Sequence, residues 1–156
     1  MALRYRFLTS LVVCLAVLCV GWTSLAAQEH AGWKVGTARL RITPEQPMCM
    51  AGYASRDRPS EGTLTDLWAK ALVLEDGSAN RAVLVTLDLI AVSRELSQSV
   101  CAALEQRHGL ARRQIALCAS HTHTGPALQR NLSPLHYLVA DPAQRELIEQ
   151  YTARLE

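Results

Sequence analysis

The sequence predicts an α/β fold, with a mixed or mostly parallel sheet and flanking helices. Three observations carry that reading. Two apolar runs, 67–74 and 82–89, the second rich in β-branched residues, are separated by the turn signal Asp76-Gly77. After Ser93, the residues Leu96, Val100, Ala103 and Leu104 recur at helical spacing until Gly109. A third short apolar run covers residues 114–119. Strand, helix and strand in that order from Ala82 to Ala119 make a βαβ unit, which joins parallel strands buried by helices.

The elements follow in order along the chain. Arg4 and Arg6 precede an apolar run over residues 7–22 and the small residues Ser24-Leu25-Ala26. This is the pattern of a cleaved signal peptide over residues 1–27, and it implies a secreted or periplasmic protein. The run falls short of the roughly 20 residues that a spanning helix needs. Cys14 and Cys19 lack small residues just before them, which argues against a lipid-modified cysteine.

Residues 33–42 alternate apolar and polar side chains with one break in phase, as in a strand near a sheet surface. Thr43-Pro44 ends it. Residues 45–65 are rich in Pro, Gly, Ser and Arg without a sustained period, and loops this long in compact domains are often functional. Residues 67–74 and 82–89 read as paired buried strands. Ser93 caps the next helix. From Pro126 to Pro142 the chain is loop-like, and Asp141 or Pro142 starts a helix with Leu147, Ile148, Tyr151 and Leu155 on one face. That pattern reaches Glu156 without a cap, a glycine or a polar tail. The chain therefore reads as a piece of a longer protein, its fold incomplete at the C-terminus.

Composition narrows the function classes. With 156 residues, 49% of them hydrophobic, the chain can bury the core of about one domain. A net charge of +2, with cations scattered among acids, gives no basic stripe and argues against a nucleic-acid partner. Past the signal segment only Cys49, Cys101 and Cys118 remain, so this is not a disulfide scaffold, although one bridge is possible in an oxidising compartment. Cys118, ending an apolar strand, is expected to be a small buried hydrophobe.

The most chemically informative stretch is Ser120-His121-Thr122-His123-Thr124-Gly125-Pro126. An extended backbone points residues i and i+2 to one side, so His121 and His123 can face one pocket. Ligands of open α/β sheets bind outside the carboxyl ends of the strands. Asp88, His121 and His123 are therefore expected on one edge of the sheet. A His-x-His pair suggests a metal site but is short of the three or four ligands that zinc takes. Asp88 is a candidate acceptor for the second N–H of a metal-binding imidazole; otherwise it is a polar strand end or a helix cap. His108, beside Gly109, suits a helix C-terminus. His136, in a loop near Tyr137, is a possible ligand but is expected to be simply exposed.

Taken together, Val35-Gly36 with Ile42-Thr43-Pro44, Met50-Ala51-Gly52-Tyr53, Trp68-Ala69-Lys70-Ala71, the strand ending Leu87-Asp88 and the 120–126 block resemble the neutral/alkaline non-lysosomal ceramidases. The resemblance runs from about Trp33 to Pro126, and the 120–126 block is its specific part. It implies that residues 33–156 are the N-terminal portion of a catalytic domain. The implied activity is that of a zinc-dependent amidase, which splits an N-acyl amide such as ceramide into a fatty acid and a sphingoid base. A lipid substrate of that kind is compatible with peripheral association with a membrane.

By the same resemblance His121 is a zinc ligand, and His123 contacts substrate and stabilises the charged intermediate. The family's remaining ligands, a His, a Glu and a Tyr, lie later in the sequence than Glu156, so the chain is expected to be inactive alone. The chain also departs from the family at Leu64 and Asp66, where a His and an Arg are usual. Two other readings stand beside this one. A metallohydrolase of the His-x-His-x-Asp-His type would act on a different substrate, but Thr124-Gly125 replaces its Asp-His. The other is a non-catalytic secreted binding module.

Overall fold

The computed structural model describes residues 32–132, 135–138 and 140–156; the signal peptide expected over residues 1–27 lies outside them. Among the described residues no helix is long and apolar enough to cross a membrane. Four strands form one mixed sheet in the order β1 (Lys34–Arg41), β2 (Trp68–Glu75), β3 (Arg81–Leu87) and β4 (Ile115–Ala119). The first two pairings are antiparallel and the β3–β4 pairing is parallel. Helix α1 (Arg94–His108) makes the crossover between the parallel strands, and α2 (Pro142–Arg154) follows a long connection. The fold class, the paired strands and the βαβ unit thus follow the sequence pattern.

Local chemistry explains the boundaries. The Asp76 carboxylate accepts the backbone N–H groups of Ser78 and Asn80 at 2.8 and 2.9 Å, closing the turn between β2 and β3. Ser93 Oγ accepts from the Leu96 N–H at 3.1 Å and starts α1, and Gly109 ends it in the left-handed region at φ 66°. Asp141 caps α2 in the same way, accepting from the Gln144 N–H at 2.9 Å, with Pro142 in the first turn.

The register assigns each strand residue to a face. Val83, Val85, Leu87, Ile115 and Leu117 alternate inward and meet the helices, in two adjoining clusters. One cluster joins Val83 and Ile115 to Cys101 of α1 and to Leu110. The other gathers Ile42, Met48, Leu89, Leu96 and Leu128 around Ile148 and Tyr151 of α2. Tyr151 donates its hydroxyl to the Ile42 carbonyl at 2.6 Å, and burial pushes that phenol above its ordinary pKa.

The opposite face carries Val35, Arg39, Lys70, Leu84, Thr86 and Cys118, and no described element packs on it. Two expectations are corrected here. The strands are not buried throughout, because the helices cover one face only: Leu84 is 39% exposed. Cys118 is exposed rather than a buried hydrophobe, since the register places it in line with Thr86 and Lys70. The phase break in β1 has the same origin, for Val35 is on the open face while Gly36, Ala38 and Leu40 share the helix-facing one. Cys49, Cys101 and Cys118 are all free thiols.

Candidate active site at the carboxyl ends of the parallel strands

Parallel pairing does not stop where the strands end. The N–H of Ser120 donates to the Leu87 carbonyl and that of Thr122 to the Leu89 carbonyl, both at 3.0 Å. These bonds hold the 120–126 loop against the segment that leaves β3. Between them His121 adopts φ 59°, the left-handed region, which histidine enters more readily than bulkier residues. His121 and His123 do share one side of the chain, with ring centroids 4.8 Å apart and planes at 72°. Their convergence comes from this turn, however, and not from the extended strand that residue spacing suggested.

The two imidazoles sit in different surroundings. His121 is exposed, and its Nδ1 lies 2.9 Å from the Ile90 carbonyl oxygen. A carbonyl can only accept, so Nδ1 carries the hydrogen and Nε2 keeps a lone pair in the neutral ring. The Ile90 carbonyl thus fills the place for which Asp88 was a candidate. Asp88 instead accepts the Trp68 N–H on Oδ2 at 2.9 Å, tying β2 to the end of β3, and receives a long 3.5 Å contact from Ser120 Oγ on Oδ1. His123 is half-buried, and its Nδ1 is a buried polar atom without a hydrogen-bond partner among the described residues.

The second wall of the site comes from the long loop. Met50 pairs with Pro126 in an isolated antiparallel bridge, flanked by bonds from Ala51 N–H to Gly125 O (3.0 Å) and from Ala127 N–H to Cys49 O (2.8 Å). Gln144 of α2 accepts the Cys49 N–H at 2.7 Å and fixes the base of this strip. Burial, with Asp141 nearby, raises the Cys49 pKa and keeps that group a thiol.

Gly52 follows at φ 107°, a backbone only glycine adopts without strain. A Cβ on it would stand 2.6 Å from Cγ of His123, so the glycine also makes room for the ring. Tyr53 packs on the same ring at 4.7 Å, and Arg56 stacks on Tyr53 at 4.9 Å. The Arg56 guanidinium donates to the carbonyls of Ala51 and His123 together, pinning loop to loop with charge-assisted bonds.

His136 completes the wall, contrary to the expectation that it is exposed. Only 8% of it is accessible, and its Nε2 accepts the Gly52 N–H at 3.1 Å. Burial, and then the nearby Arg56 charge, lower its pKa below the ordinary value. Sequence spacing brought His121 and His123 to notice, but Gly52, Tyr53, Arg56, Ile90 and His136 enter the site only through tertiary contacts. The signals for them in the sequence are the long 45–65 loop and its Met50-Ala51-Gly52-Tyr53 stretch.

Over residues 33–139 the sequence matches the family described as neutral/alkaline non-lysosomal ceramidase, N-terminal. The chain belongs to that family. The neutral ceramidase of Drosophila melanogaster is 32% identical over 115 residues, which cover 72% of this chain and 16% of that protein. That of Pseudomonas aeruginosa is 30% identical over 105 residues, covering 65% of this chain and 16% of the relative. The crystal structure of the Pseudomonas aeruginosa neutral ceramidase superposes with a TM-score of 0.54 at 30% identity, over 61% of this chain and 16% of that one. A ceramidase structure in complex with C2 gives a TM-score of 0.56 at 29% identity, over 61% of this chain and 15% of that one. The chain therefore spans about one-sixth of the length of the ceramidases it resembles.

Proposed function

We propose that this chain forms one wall of the active site of a zinc-dependent hydrolase that cleaves the N-acyl amide of a ceramide-like lipid to a fatty acid and a sphingoid base. The observation that carries the reading is the pairing of His121 and His123, with rings 4.8 Å apart at the carboxyl ends of the parallel strands and His121 Nδ1 anchored on a backbone carbonyl. An imidazole fixed in that tautomer offers Nε2 to a metal, so the donor chemistry at His121 fits zinc. Among the described residues no group of three His, Cys, Asp or Glu could hold a metal. We assign the remaining ligands to other parts of a protein of family length, because zinc sites of this kind take at least three protein ligands.

When bound, zinc supplies acidity to a coordinated water and polarises a carbonyl. His121 would hold the ion through Nε2. His123 would act on the substrate. Its Nδ1 has no partner among the described residues, and an unpaired buried acceptor is tolerated better than an unpaired N–H. That preference leaves the hydrogen on Nε2, ready for donation to the oxygen on which negative charge develops as the amide is attacked. Preorganised donors of that kind contribute roughly 100- to 1,000-fold in rate. Export from the cytoplasm, supported by the N-terminal basic-then-apolar pattern, would place the enzyme where it meets lipid from outside the cell or in the periplasm.

The test is a pair of substitutions in the family-length protein that contains this chain. His121→Ala should lose stoichiometric zinc by elemental analysis, together with hydrolysis of a fluorescent short-chain ceramide. Unchanged zinc content would remove the ligand assignment. His123→Ala should keep its zinc while turnover falls roughly 100- to 1,000-fold, and normal turnover would remove the proposed role. A zinc-loaded wild type that cleaves no N-acyl amide would leave the binding-module reading.

A further inference from the structure

We infer that His136 is a positioning residue: by accepting the Gly52 N–H, it holds the backbone wall that sets the orientation of the His123 ring. The inference rests on the catalytic reading of His123 for its consequence, but not for its geometry.

Aromatic and backbone contacts, rather than a hydrogen bond on Nδ1, hold the His123 ring on its buried side. Tyr53 and His121 flank it at centroid distances of 4.7 and 4.8 Å. Gly52 closes that side so tightly that an added Cβ would stand 2.6 Å from Cγ and 2.7 Å from Nδ1. A wall at van der Waals distance transmits its own displacement to the ring. Gly52 has the most permissive backbone of any residue type, so an external bond must fix its position. Its N–H has that bond in Nε2 of His136, at 3.1 Å.

Nε2 can accept only while the imidazole is neutral with its hydrogen on Nδ1. Burial of His136 and the nearby Arg56 charge favour the neutral ring. A side chain 84 positions from Gly52 in sequence thus supplies the acceptor for this N–H. Displacements of about 1 Å at a reacting group can cost 100-fold in rate, so a small movement of the wall is enough to be read in turnover.

Two substitutions separate the acceptor from the bulk of the side chain. In His136→Gln the amide oxygen can take the Gly52 N–H, whereas His136→Phe keeps a ring of similar volume and offers no acceptor. In the family-length protein, His136→Gln should stay within about threefold of wild-type kcat, and His136→Phe should lose roughly 10- to 100-fold with KM and zinc content unchanged. Equal kcat in the two variants would overturn the inference.

A second readout needs no activity. In protein labelled isotopically in histidine and glycine, wild type should show scalar coupling across the Gly52 N–H···Nε2 bond. The His123 ring resonances should move in His136→Phe and return toward wild type in His136→Gln. Unmoved His123 resonances in the Phe variant would also overturn it. If no version of the protein hydrolyses an N-acyl amide, the proposed function fails, and the spectra still decide whether His136 positions His123.

Discussion

Backbone conformation, at single residues, decides how the site is assembled. His121 sits in a left-handed turn and Gly52 at φ 107°, and between them they bring two imidazoles and a bare stretch of main chain together. Gly52→Ala should be costly on both counts, since it adds backbone strain of about 1–3 kcal/mol and drives a methyl group into the His123 ring. We expect a lower denaturation midpoint and a fall in turnover larger than the stability loss explains. The alanine variant retaining full turnover would show that the ring tolerates displacement. The sequence made His121 and His123 legible because their spacing is local. It hid His136, because a histidine in an irregular loop gives no sign of burial until the 49–56 strip packs against it. It offered a carboxylate at position 88 as one candidate partner for His121 beside its reading as a polar strand end, whereas the availability of the Ile90 carbonyl is a property of the folded backbone.

Elements are more legible in the sequence than single residues, because their signals are chemical and near in sequence. Ser93, Gly109, Asp141 and Pro142 mark helix ends by side-chain or backbone chemistry that acts within a turn, and each stands where the structure uses it. Strand faces were harder. Alternation in β3 and β4 shows which residues share a face, but it does not reveal that no described helix covers one of the faces, which is why Cys118 is exposed against expectation. Helix α1 bears on the site indirectly, since its N-cap lies just past the Leu89–Ile90 segment that anchors the 120–126 loop. Ser93→Ala should therefore cost about 0.5–2 kcal/mol, measured as a shift in the denaturant midpoint. An unchanged midpoint would mean that the cap is replaced by another acceptor.

At the scale of the whole molecule, stability should respond to acid through His136. Its pKa is lowered in the folded protein, so as pH falls below the ordinary histidine value of 6.5 the unfolded chain takes up the proton first. The contribution is fully present above that value and is lost as pH falls through the lower folded pKa. Midpoints of unfolding measured between about pH 7 and pH 5 should fall less steeply in His136→Gln than in wild type, because the amide does not titrate. Identical slopes would show that burial of His136 is not felt by the global equilibrium. Met50 lies between β1 and β2 and Pro126 beyond β4, and the bridge between them closes the site. Closing so wide a loop costs chain entropy before any contact rewards it, so the site should be a late arrival in folding. A nascent chain would then display its paired strands first, and the histidines would become a matched pair only when the loop segment that left the ribosome early docks on the one that left it late.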